Sequence, residues 1–311
     1  MLVTLSQAVE LLRLGQVVAI PTETVYGLAA DPQSDDALTL LYQTKGRPSD
    51  HPVILHVADL EMCRPFVTEI VPAAQALMQA FWPGPLTLLL PRSERTPSRV
   101  TGGRPLVGVR APAAPLAQQL LREVGFPLVA PSANRFGHIS PTTAAHVEEE
   151  FEGRVAVLDG GPCQVGLEST IVQVEETRVV VLRPGQLSLE SLAKVAGLPV
   201  VRPEQEPEGG VPGALKSHYA PRQPLLVLPL PQLLAHPAKE AAILSLSQGS
   251  WPDAVMVRRL PEQPSDYARL LYGVLREAEA SGCALILVES PPQTPDWSAI
   301  RDRLRRASAG G

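Results

Sequence analysis

The sequence predicts an α/β fold, with an open, twisted, mixed sheet and flanking helices, followed by a second, smaller α/β domain. Short apolar runs of strand length alternate with segments of helical periodicity. The chain has 311 residues, which exceeds the ~100–200 residues of a usual domain. Proline and glycine interrupt the alternation after Gly197, which indicates a boundary between two domains.

The first predicted domain covers residues 1–198. Thr4 and Gln7 have capping-box spacing, so a short helix begins there, and Gly15 ends it. Apolar runs predict strands at 17–20, 53–57, 86–90, 107–109, 128–130, 171–174 and 179–182. Helical patterns fall near 35–44, 72–81, 114–123, 142–150 and 188–196.

The second predicted domain covers residues 224–311 and follows a Pro- and Gly-rich linker at 199–223. Buried strands are predicted at 225–228, 242–246, 254–257 and 284–288, with helices near 265–281 and 297–307. This order is Rossmann-like and resembles small nucleotide-binding folds, although a fold alone assigns no site. Glu289, at a predicted strand end, is the candidate residue in this domain.

The composition is that of an ordinary globular protein, with 45% hydrophobic and 19% charged residues. A net charge of −5 argues against a broad surface for phosphate backbones, so stable nucleic-acid binding is not predicted. Cys63, Cys163 and Cys283 are far apart and form no C-x-x-C pair, which favours a reducing compartment. No leader pattern and no apolar run of ~20 residues is present, so we predict a cytoplasmic location away from membranes.

Familiar catalytic and phosphate-binding motifs are absent from the sequence. It contains no G-x-x-x-x-G-K-[ST] loop, and no G-x-G-x-x-G between a strand and a helix. G-x-S-x-G, H-E-x-x-H and EF-hand patterns are missing too. Five polar clusters at strand ends therefore carry the functional hypothesis.

The first cluster, Pro21-Thr22-Glu23-Thr24-Val25-Tyr26-Gly27, follows the strand that ends at Ile20. Hydroxyls at a strand's carboxyl end face the crevice where open α/β sheets bind ligands. A turn stabilised by side-chain hydroxyls is the alternative interpretation.

The second cluster, Lys45-Gly46-Arg47-Pro48, places two cations around a glycine, with a proline that stiffens the exit. Both charges can converge on one anion, and the pattern suits a polyphosphate. The alternative is a helix end with Gly46 as its cap, which leaves Arg47 and Pro48 unexplained. His56, in the next strand, is either a site residue or an ordinary core histidine.

The third cluster is Val109-Arg110-Ala111-Pro112, where Arg110 can hold a carboxylate bidentately or form a surface ion pair. In the fourth, Ser132 and Asn134 follow a buried strand. Ser140 has the pattern of an N-cap with Pro141 at the first helical position, and a helix N-terminus also attracts phosphate.

The fifth cluster runs from Leu167-Glu168-Ser169-Thr170 into a predicted strand pair that ends at Leu182-Arg183-Pro184-Gly185. Its turn signal is ordinary for a hairpin. Arg183 adds a further candidate ligand for phosphate.

These five clusters, in this order, resemble the YrdC-like threonylcarbamoyl-AMP synthase family over about residues 5–196. The segment Pro212-Gly213-Ala214-Leu215-Lys216-Ser217-His218-Tyr219-Ala220-Pro221 is similar to one that precedes the second domain in long, two-domain members. The resemblance therefore extends over the whole chain. Two positions depart from the family pattern: His51 replaces a frequent asparagine, and Ala214 a frequent methionine.

The resemblance implies a reaction of L-threonine, bicarbonate and ATP. Threonine and bicarbonate give an N-carboxylate, which attacks the α-phosphorus of ATP and releases pyrophosphate. The product, threonylcarbamoyl-AMP, is then used by a downstream transferase complex that modifies a tRNA adenosine beside the anticodon. Such chemistry requires positioning, charge compensation and exclusion of water.

The resemblance also assigns residues. Thr24, His56, Arg110, the backbone at Ala130, and Ser169 resemble ligands of L-threonine. The residues that resemble ligands of ATP are Lys45, Arg47, His51, Ser132, Asn134, Ser140, Arg183 and Tyr219, with Lys45 and Arg47 as catalytic cations. Mg²⁺ is expected to arrive with ATP and to take most ligands from nucleotide oxygens and water. Tyr219 resembles a residue with which the linker closes over the nucleotide.

Two other functions compete with this hypothesis. YrdC-like domains also occur in carbamoyltransferases of hydrogenase maturation, but those chains are much longer and carry acylphosphatase and zinc-finger segments that are not matched here. An RNA-binding module is the second alternative. The acidic net charge and the lack of interleaved aromatic and basic residues count against it as the main role.

Overall fold

A computed structural model describes residues 1–203 and 218–309 of the chain. Residues 204–217, which include most of the predicted linker and the Ala214 departure, lie outside the described residues. Within the described ranges, no helix combines the length and the apolar character that crossing a bilayer would require.

The described part of the first domain contains eleven strands and eight α-helices. The strands are β1 (Leu2–Val3), β2 (Val18–Ile20), β3 (Gly27–Ala29), β4 (Ile54–His56), β5 (Leu86–Pro91), β6 (Leu106–Arg110), β7 (Leu128–Val129), β8 (Ala156–Leu158), β9 (Thr170–Val174), β10 (Val179–Arg183) and β11 (Val200–Val201). The helices are α1 (Leu5–Arg13), α2 (Asp35–Lys45), α3 (Leu60–Cys63), α4 (Pro72–Phe81), α5 (Ser98–Thr101), α6 (Pro115–Val124), α7 (Ala144–Phe151) and α8 (Leu189–Ala196), with a 3₁₀ turn at Arg64–Phe66.

These strands form two sheets. A seven-stranded mixed sheet has the order β11-β10-β9-β5-β6-β4-β7, and a four-stranded sheet has the order β1-β8-β2-β3. Isolated bridges from Gly27 to Ser132 and from Ala30 to Val129 join the two sheets beside the predicted first and fourth clusters. The predicted α/β class with a mixed sheet and flanking helices is confirmed, and the division into two sheets is a further finding.

The end of α2 and the start of α7 test two predicted helix boundaries. Gly46 ends α2 in the left-handed conformation, with φ of 62°, so the capping interpretation of this glycine is confirmed. The predicted N-cap at Ser140 is wrong, because α7 begins later and the side chain of Thr143 accepts the capping hydrogen bond from His146. The side chain of Ser140 is instead committed to a carboxylate across the site, at Glu168.

The second domain has a parallel four-stranded sheet in the order β12-β15-β13-β14, as the Rossmann-like prediction requires. Its strands are β12 (Leu225–Leu228), β13 (Ala241–Ser245), β14 (Met256–Arg259) and β15 (Leu285–Glu289). Its helices are α9 (Leu230–Ala235), α10 (Pro264–Ala280) and α11 (Ser298–Ser308), with a 3₁₀ turn at Pro295–Trp297. Glu289 accepts hydrogen bonds from the backbone of Leu246 and Ser247, so it caps a loop of its own domain.

The two domains share buried surface. Val25, Ile139 and Leu167 of the first domain belong to the same apolar cluster as the core of α10 and α11. At Gly166, a Cβ atom would lie 2.5 Å from the Cα of Arg269 in α10. Because φ at Gly166 is also +78°, only glycine fits this close approach of the two domains.

Two buried arginine–glutamate pairs cross the same interface. Arg276 of α10 lies 3.1 Å from Glu150 of α7, and Arg303 of α11 lies 2.7 Å from Glu168. Burial raises the pKa of Glu150, but hydrogen bonds from His138 and the backbone of Arg135, with the charge of Arg276, outweigh it and lower the pKa to about 2.

Glu150→Gln is expected to lower the free energy of unfolding by about 3 kcal/mol at pH 7. The folded-state pKa of about 2 lies below the ordinary 4.5, so this stabilisation is present above pH 4.5 and is lost as pH falls toward 2. Urea unfolding of the wild type and of Glu150→Gln, from pH 7 to pH 3, measures this stabilisation. The difference in unfolding free energy between the wild type and Glu150→Gln should narrow below pH 4.5. A difference that stays constant would contradict the low pKa of Glu150. Glu149→Gln, at an exposed neighbour, is the control.

Candidate functional site

Most of the predicted site residues converge on one cavity of about 50 Å³, which lies where the first domain's strand ends face the second domain. The predicted residues that line it are Thr24, Arg47, His56, Arg110, Ala130, Ser132, Ser169, Arg183 and Tyr219. Four others, Lys45, His51, Asn134 and Ser140, are not part of its wall. Glu168 and His218 line the cavity and were not among the predicted site residues.

Arg110, the last residue of β6, holds the first cluster in place. Its guanidinium lies 2.6 Å from a carboxylate oxygen of Glu23 and donates hydrogen bonds to the hydroxyl of Thr24, at 2.8 Å, and to the carbonyl of Gly84, at 3.3 Å. Both members of the ion pair are buried, so the surface ion-pair interpretation is wrong. Glu23 was missed, although it lies inside the predicted first cluster.

The first cluster is both a hydroxyl-stabilised turn and part of the cavity wall. The hydroxyl of Thr22 accepts hydrogen bonds from the backbone of Thr24 and Val25, each at 3.2 Å. It therefore builds the turn, while Thr24 and Val25 face the cavity. The two interpretations drawn from the sequence apply to different threonines.

His56, the last residue of β4, is paired with Arg110 in the neighbouring strand β6. Its Nδ1 is 3.1 Å from the carbonyl oxygen of Ile54. Burial, with the charge of Arg110, lowers the pKa of His56 to about 3. The imidazole is therefore neutral at physiological pH and offers a hydrogen-bonding edge to the cavity without adding charge.

Lys45, the last residue of α2, anchors the fourth cluster. Its ammonium donates to the carbonyls of Ser132, at 2.5 Å, and Asn134, at 2.6 Å. Burial, together with the charge of Arg47, lowers the pKa of Lys45 well below its ordinary value. The lysine thus fixes the loop that presents Ser132 to the cavity, and Arg47 is the cation of this motif that lines the wall.

Arg47 is buried beside the ring of Phe136, with its guanidinium carbon 5.4 Å from the ring centroid. Its terminal nitrogen donates to the carbonyl of Pro52 at 2.9 Å, whereas Nε has no hydrogen-bond partner among the described residues. Burial lowers the pKa of Arg47 to about 10, so the side chain stays charged at neutral pH. His51 packs edge-on against the same Phe136 ring, at 5.3 Å, outside the cavity.

Arg183, the last residue of β10, and Ser169 form a further part of the cavity wall. Arg183 donates to the carbonyl and to the hydroxyl of Ser169, each at 3.0 Å, and that hydroxyl lies 2.7 Å from the hydroxyl of Thr87. Burial lowers the pKa of Arg183. The wall therefore presents a desolvated guanidinium, to which an anion would bind strongly.

Glu168 joins the fourth and fifth clusters to the second domain. It accepts hydrogen bonds from Ser140 at 2.6 Å, Tyr272 at 3.0 Å and Arg303 at 2.7 Å. Burial raises the pKa of Glu168, but the charges of Arg303 and Arg183 outweigh it and hold the pKa below the ordinary value. Glu168 is thus an ionised acceptor, and Ser140 reaches the site through it.

Tyr219 and His218 close the cavity from the end of the linker. Tyr219 is buried with φ of 63°, and the next residue, Ala220, donates a backbone hydrogen bond to Gly137 at 2.9 Å. The hydroxyl of Tyr219 and Nδ1 of His218 have no hydrogen-bond partner among the described residues. Because buried polar atoms are ordinarily paired, these atoms and Arg47 Nε fit a polar ligand in the cavity.

No group of three or more His, Cys, Asp or Glu side chains in residues 1–203 and 218–309 is placed to hold a metal ion. Glu168, the carboxylate that lines the cavity, pairs with Arg303, and Glu23, which lies behind the wall, pairs with Arg110. A divalent ion here would fit only as a companion of a polyphosphate, bound through phosphate oxygens and water.

A larger cavity of about 560 Å³ lies elsewhere between the domains. Arginines of α11 line it, and Asp302 in the same wall binds Arg305 at 2.9 Å and Arg306 at 3.1 Å. None of the predicted site residues lines this cavity. The smaller cavity, where those residues meet, is therefore the candidate site.

Comparisons with known proteins cover both domains. A family model described as "Telomere recombination" matches residues 10–185, and one described as "Threonylcarbamoyl-AMP synthase, C-terminal domain" matches residues 187–309. A threonylcarbamoyl-AMP synthase from Pyrococcus abyssi is 38% identical over 96% of this chain and 92% of its own length. One from Bacillus subtilis is 38% identical over 98% of this chain and 93% of its own.

Solved structures agree with the sequence comparison. The crystal structure of P. abyssi Sua5 complexed with L-threonine has a TM-score of 0.90 and 35% sequence identity, covering 99% of this chain and 97% of its own. The structure of a double alanine variant of the same protein has a TM-score of 0.89. The chain belongs to the threonylcarbamoyl-AMP synthase family, in its two-domain form.

Proposed function

We propose that this chain is an enzyme that makes threonylcarbamoyl-AMP and pyrophosphate from L-threonine, bicarbonate and ATP. The observation that carries the proposal is the cavity itself. Its wall brings together Arg110, Thr24 and neutral His56, which suit an amino acid, and the guanidinium groups of Arg47 and Arg183, which suit phosphates. The family relationship and the threonine bound by a related structure support L-threonine and ATP as substrates.

The chemistry forms two bonds in sequence. The amine nitrogen of threonine attacks the carbon of bicarbonate, water leaves, and a carbamate forms. A carbamate oxygen then attacks the α-phosphorus of ATP, the bond from that phosphorus to its bridging oxygen breaks, and pyrophosphate departs. No protein nucleophile takes part, so the protein contributes positioning, charge compensation and exclusion of water.

The first group of proposed ligands serves threonine. Thr24, His56, Arg110, Ala130 and Ser169 would hold the amino acid. After its contacts to Glu23, Thr24 and Gly84, the guanidinium of Arg110 still has donors for a carboxylate, since arginine carries five N–H groups. Glu23 balances the charge of Arg110.

The second group serves ATP. Arg47, Arg183 and Ser132 would contact phosphates, and Tyr219 would cover the nucleotide. Lys45 and Asn134 would shape the loop that carries Ser132. Mg²⁺, when bound with ATP, would neutralise phosphate charge and orient the leaving pyrophosphate. We further propose a cytoplasmic location, consistent with three free, buried cysteines, and a downstream tRNA-modifying transferase complex as the consumer of the product.

Labelled bicarbonate tests the function. With ATP, L-threonine and Mg²⁺ present, the protein should form labelled threonylcarbamoyl-AMP together with pyrophosphate, and omission of threonine should abolish both. RNA binding without turnover, or pyrophosphate release that needs no threonine, would contradict the proposed function.

Arg47→Ala is expected to lower the rate of product formation at subsaturating ATP by at least about tenfold, because a buried, charge-assisted contact to phosphate is lost. The matched control is Arg64→Ala, which removes an exposed arginine that forms a surface ion pair with Glu61. Its rate should equal that of the wild type. If the two variants formed product at equal rates, Arg47 would not be a phosphate ligand of the site.

A further inference from the structure

Glu168 receives most of its hydrogen bonds from outside the first domain. Tyr272 of α10 donates to one carboxylate oxygen at 3.0 Å, and Arg303 of α11 donates to the same oxygen at 2.7 Å. The other oxygen accepts from Ser140 at 2.6 Å. All of these side chains are buried. The second domain therefore determines where a carboxylate of the cavity wall lies.

Tyr219, which also lines the cavity, has the same two neighbours. The guanidinium carbon of Arg303 lies 5.2 Å from the centroid of its ring, and the ring of Tyr272 lies at 5.8 Å. The second domain thus contacts the cavity wall at two places through the same pair of residues. Neither Tyr272 nor Arg303 lines the cavity itself.

Arg303 contacts residues of both domains at once. Its guanidinium binds Glu168 of the first domain and Asp302 of its own helix, each at 2.7 Å. Its side chain is fully buried, and one terminal nitrogen has no hydrogen-bond partner among the described residues. Such a buried guanidinium fixes the relative position of the groups it touches, because moving either one leaves a charge desolvated.

We propose that Tyr272 and Arg303 are positioning residues of the second domain, which hold Glu168 and Tyr219 in place and thereby complete the ATP side of the site. This inference rests on the proposed function for the identity of the nucleotide. It gives the second domain a specific role, because contacts from that domain fix the positions of the Glu168 carboxylate and the Tyr219 ring in the cavity wall. Arg110, the proposed ligand of the threonine carboxylate, is held by Glu23, Thr24 and Gly84 of the first domain.

Two phenylalanine substitutions in one helix test the proposal. Tyr272→Phe removes a hydroxyl that binds Glu168, whereas Tyr267→Phe removes a hydroxyl of α10 that is equally buried and has no partner among the described residues. We expect Tyr272→Phe to raise the Kd for ATP, measured by calorimetry, by about threefold to tenfold. Tyr267→Phe should leave the Kd unchanged, and neither variant should change the Kd for threonine.

Arg303→Lys adds a stronger change at the same place. Lysine keeps a positive charge but not the planar group that spans Glu168 and Asp302, so the Kd for ATP should rise by about tenfold or more. Thermal unfolding of each variant separates a loss of nucleotide affinity from a loss of fold. If Tyr272→Phe and Tyr267→Phe bind ATP alike, or if Tyr272→Phe weakens threonine binding as much as ATP binding, the proposal is overturned.

The binding experiment is independent of the synthase assay. A wild-type protein that binds ATP but forms no threonylcarbamoyl-AMP would refute the proposed function, while the comparison of Tyr272→Phe with Tyr267→Phe would still decide the positioning role. In an active enzyme, the same change should appear in the KM for ATP with a smaller change in kcat. A fall in kcat alone, with the KM unchanged, would indicate only a smaller folded fraction and would contradict positioning.

Discussion

Arg110→Lys is expected to weaken the binding of L-threonine by at least about 100-fold, a free-energy change of about 3 kcal/mol. The guanidinium has three separate contacts, to Glu23, Thr24 and Gly84, in three directions. A lysine ammonium is a single point that cannot replace all three and still meet a carboxylate in two places. Calorimetric titration with threonine measures the loss directly.

Arg99→Lys is the matched control for Arg110→Lys. Arg99 also pairs with an acidic residue, Asp35, at 3.3 Å, but Asp35 is exposed and Arg99 is only partly buried, and solvated pairs contribute little. Threonine affinity should therefore stay at the wild-type value in Arg99→Lys. If Arg110→Lys still binds threonine within about threefold of the wild type, the carboxylate of the substrate lies elsewhere.

The regular part of the fold was predictable because its elements are long enough to show periodicity. The predicted strands at 86–90 and 171–174 match β5 and β9 closely, and the predicted helix near 72–81 matches α4. The short strands β2, β4 and β7 lie inside longer apolar runs and were predicted, whereas four others of two or three residues, β1, β3, β8 and β11, were missed. Their pairing is decided by partners distant in sequence, and so short a run carries no period of its own.

The candidate site was predictable where its residues follow strands. Arg110 and Arg183 are the last residues of β6 and β10, and these two strands run in the same direction, so their carboxyl ends lie at the same edge of the sheet. Residues that contact the site from a distant part of the sequence were not predictable. Arg303 lies in the charged run Arg301-Asp302-Arg303-Leu304-Arg305-Arg306, which is typical of a solvated helix face, yet its side chain is fully buried. The packing of α11 buries Arg303, and Arg306 of the same run is buried too.

Arg303→Met is expected to lower the free energy of unfolding by about 3–5 kcal/mol, because it leaves the carboxylate of Glu168 buried without its counter-charge. Adding Glu168→Gln removes that charge, so the double variant should recover at least about 1 kcal/mol relative to the sum of the single losses. Urea unfolding of the wild type, both single variants and the double variant gives the coupling energy.

Arg269→Met is the control for this cycle, since Arg269 belongs to the second domain but forms an exposed pair with Asp266 at 3.4 Å. Its loss should stay within about 0.5 kcal/mol. Strict additivity of Arg303→Met and Glu168→Gln would mean that the two side chains contribute independently. In that case the second domain would be held by its apolar contacts with Val25, Ile139 and Leu167, and the buried pair would not fix its position. Coupling of the expected size would instead mean that the domains are joined at the carboxylate that lines the cavity.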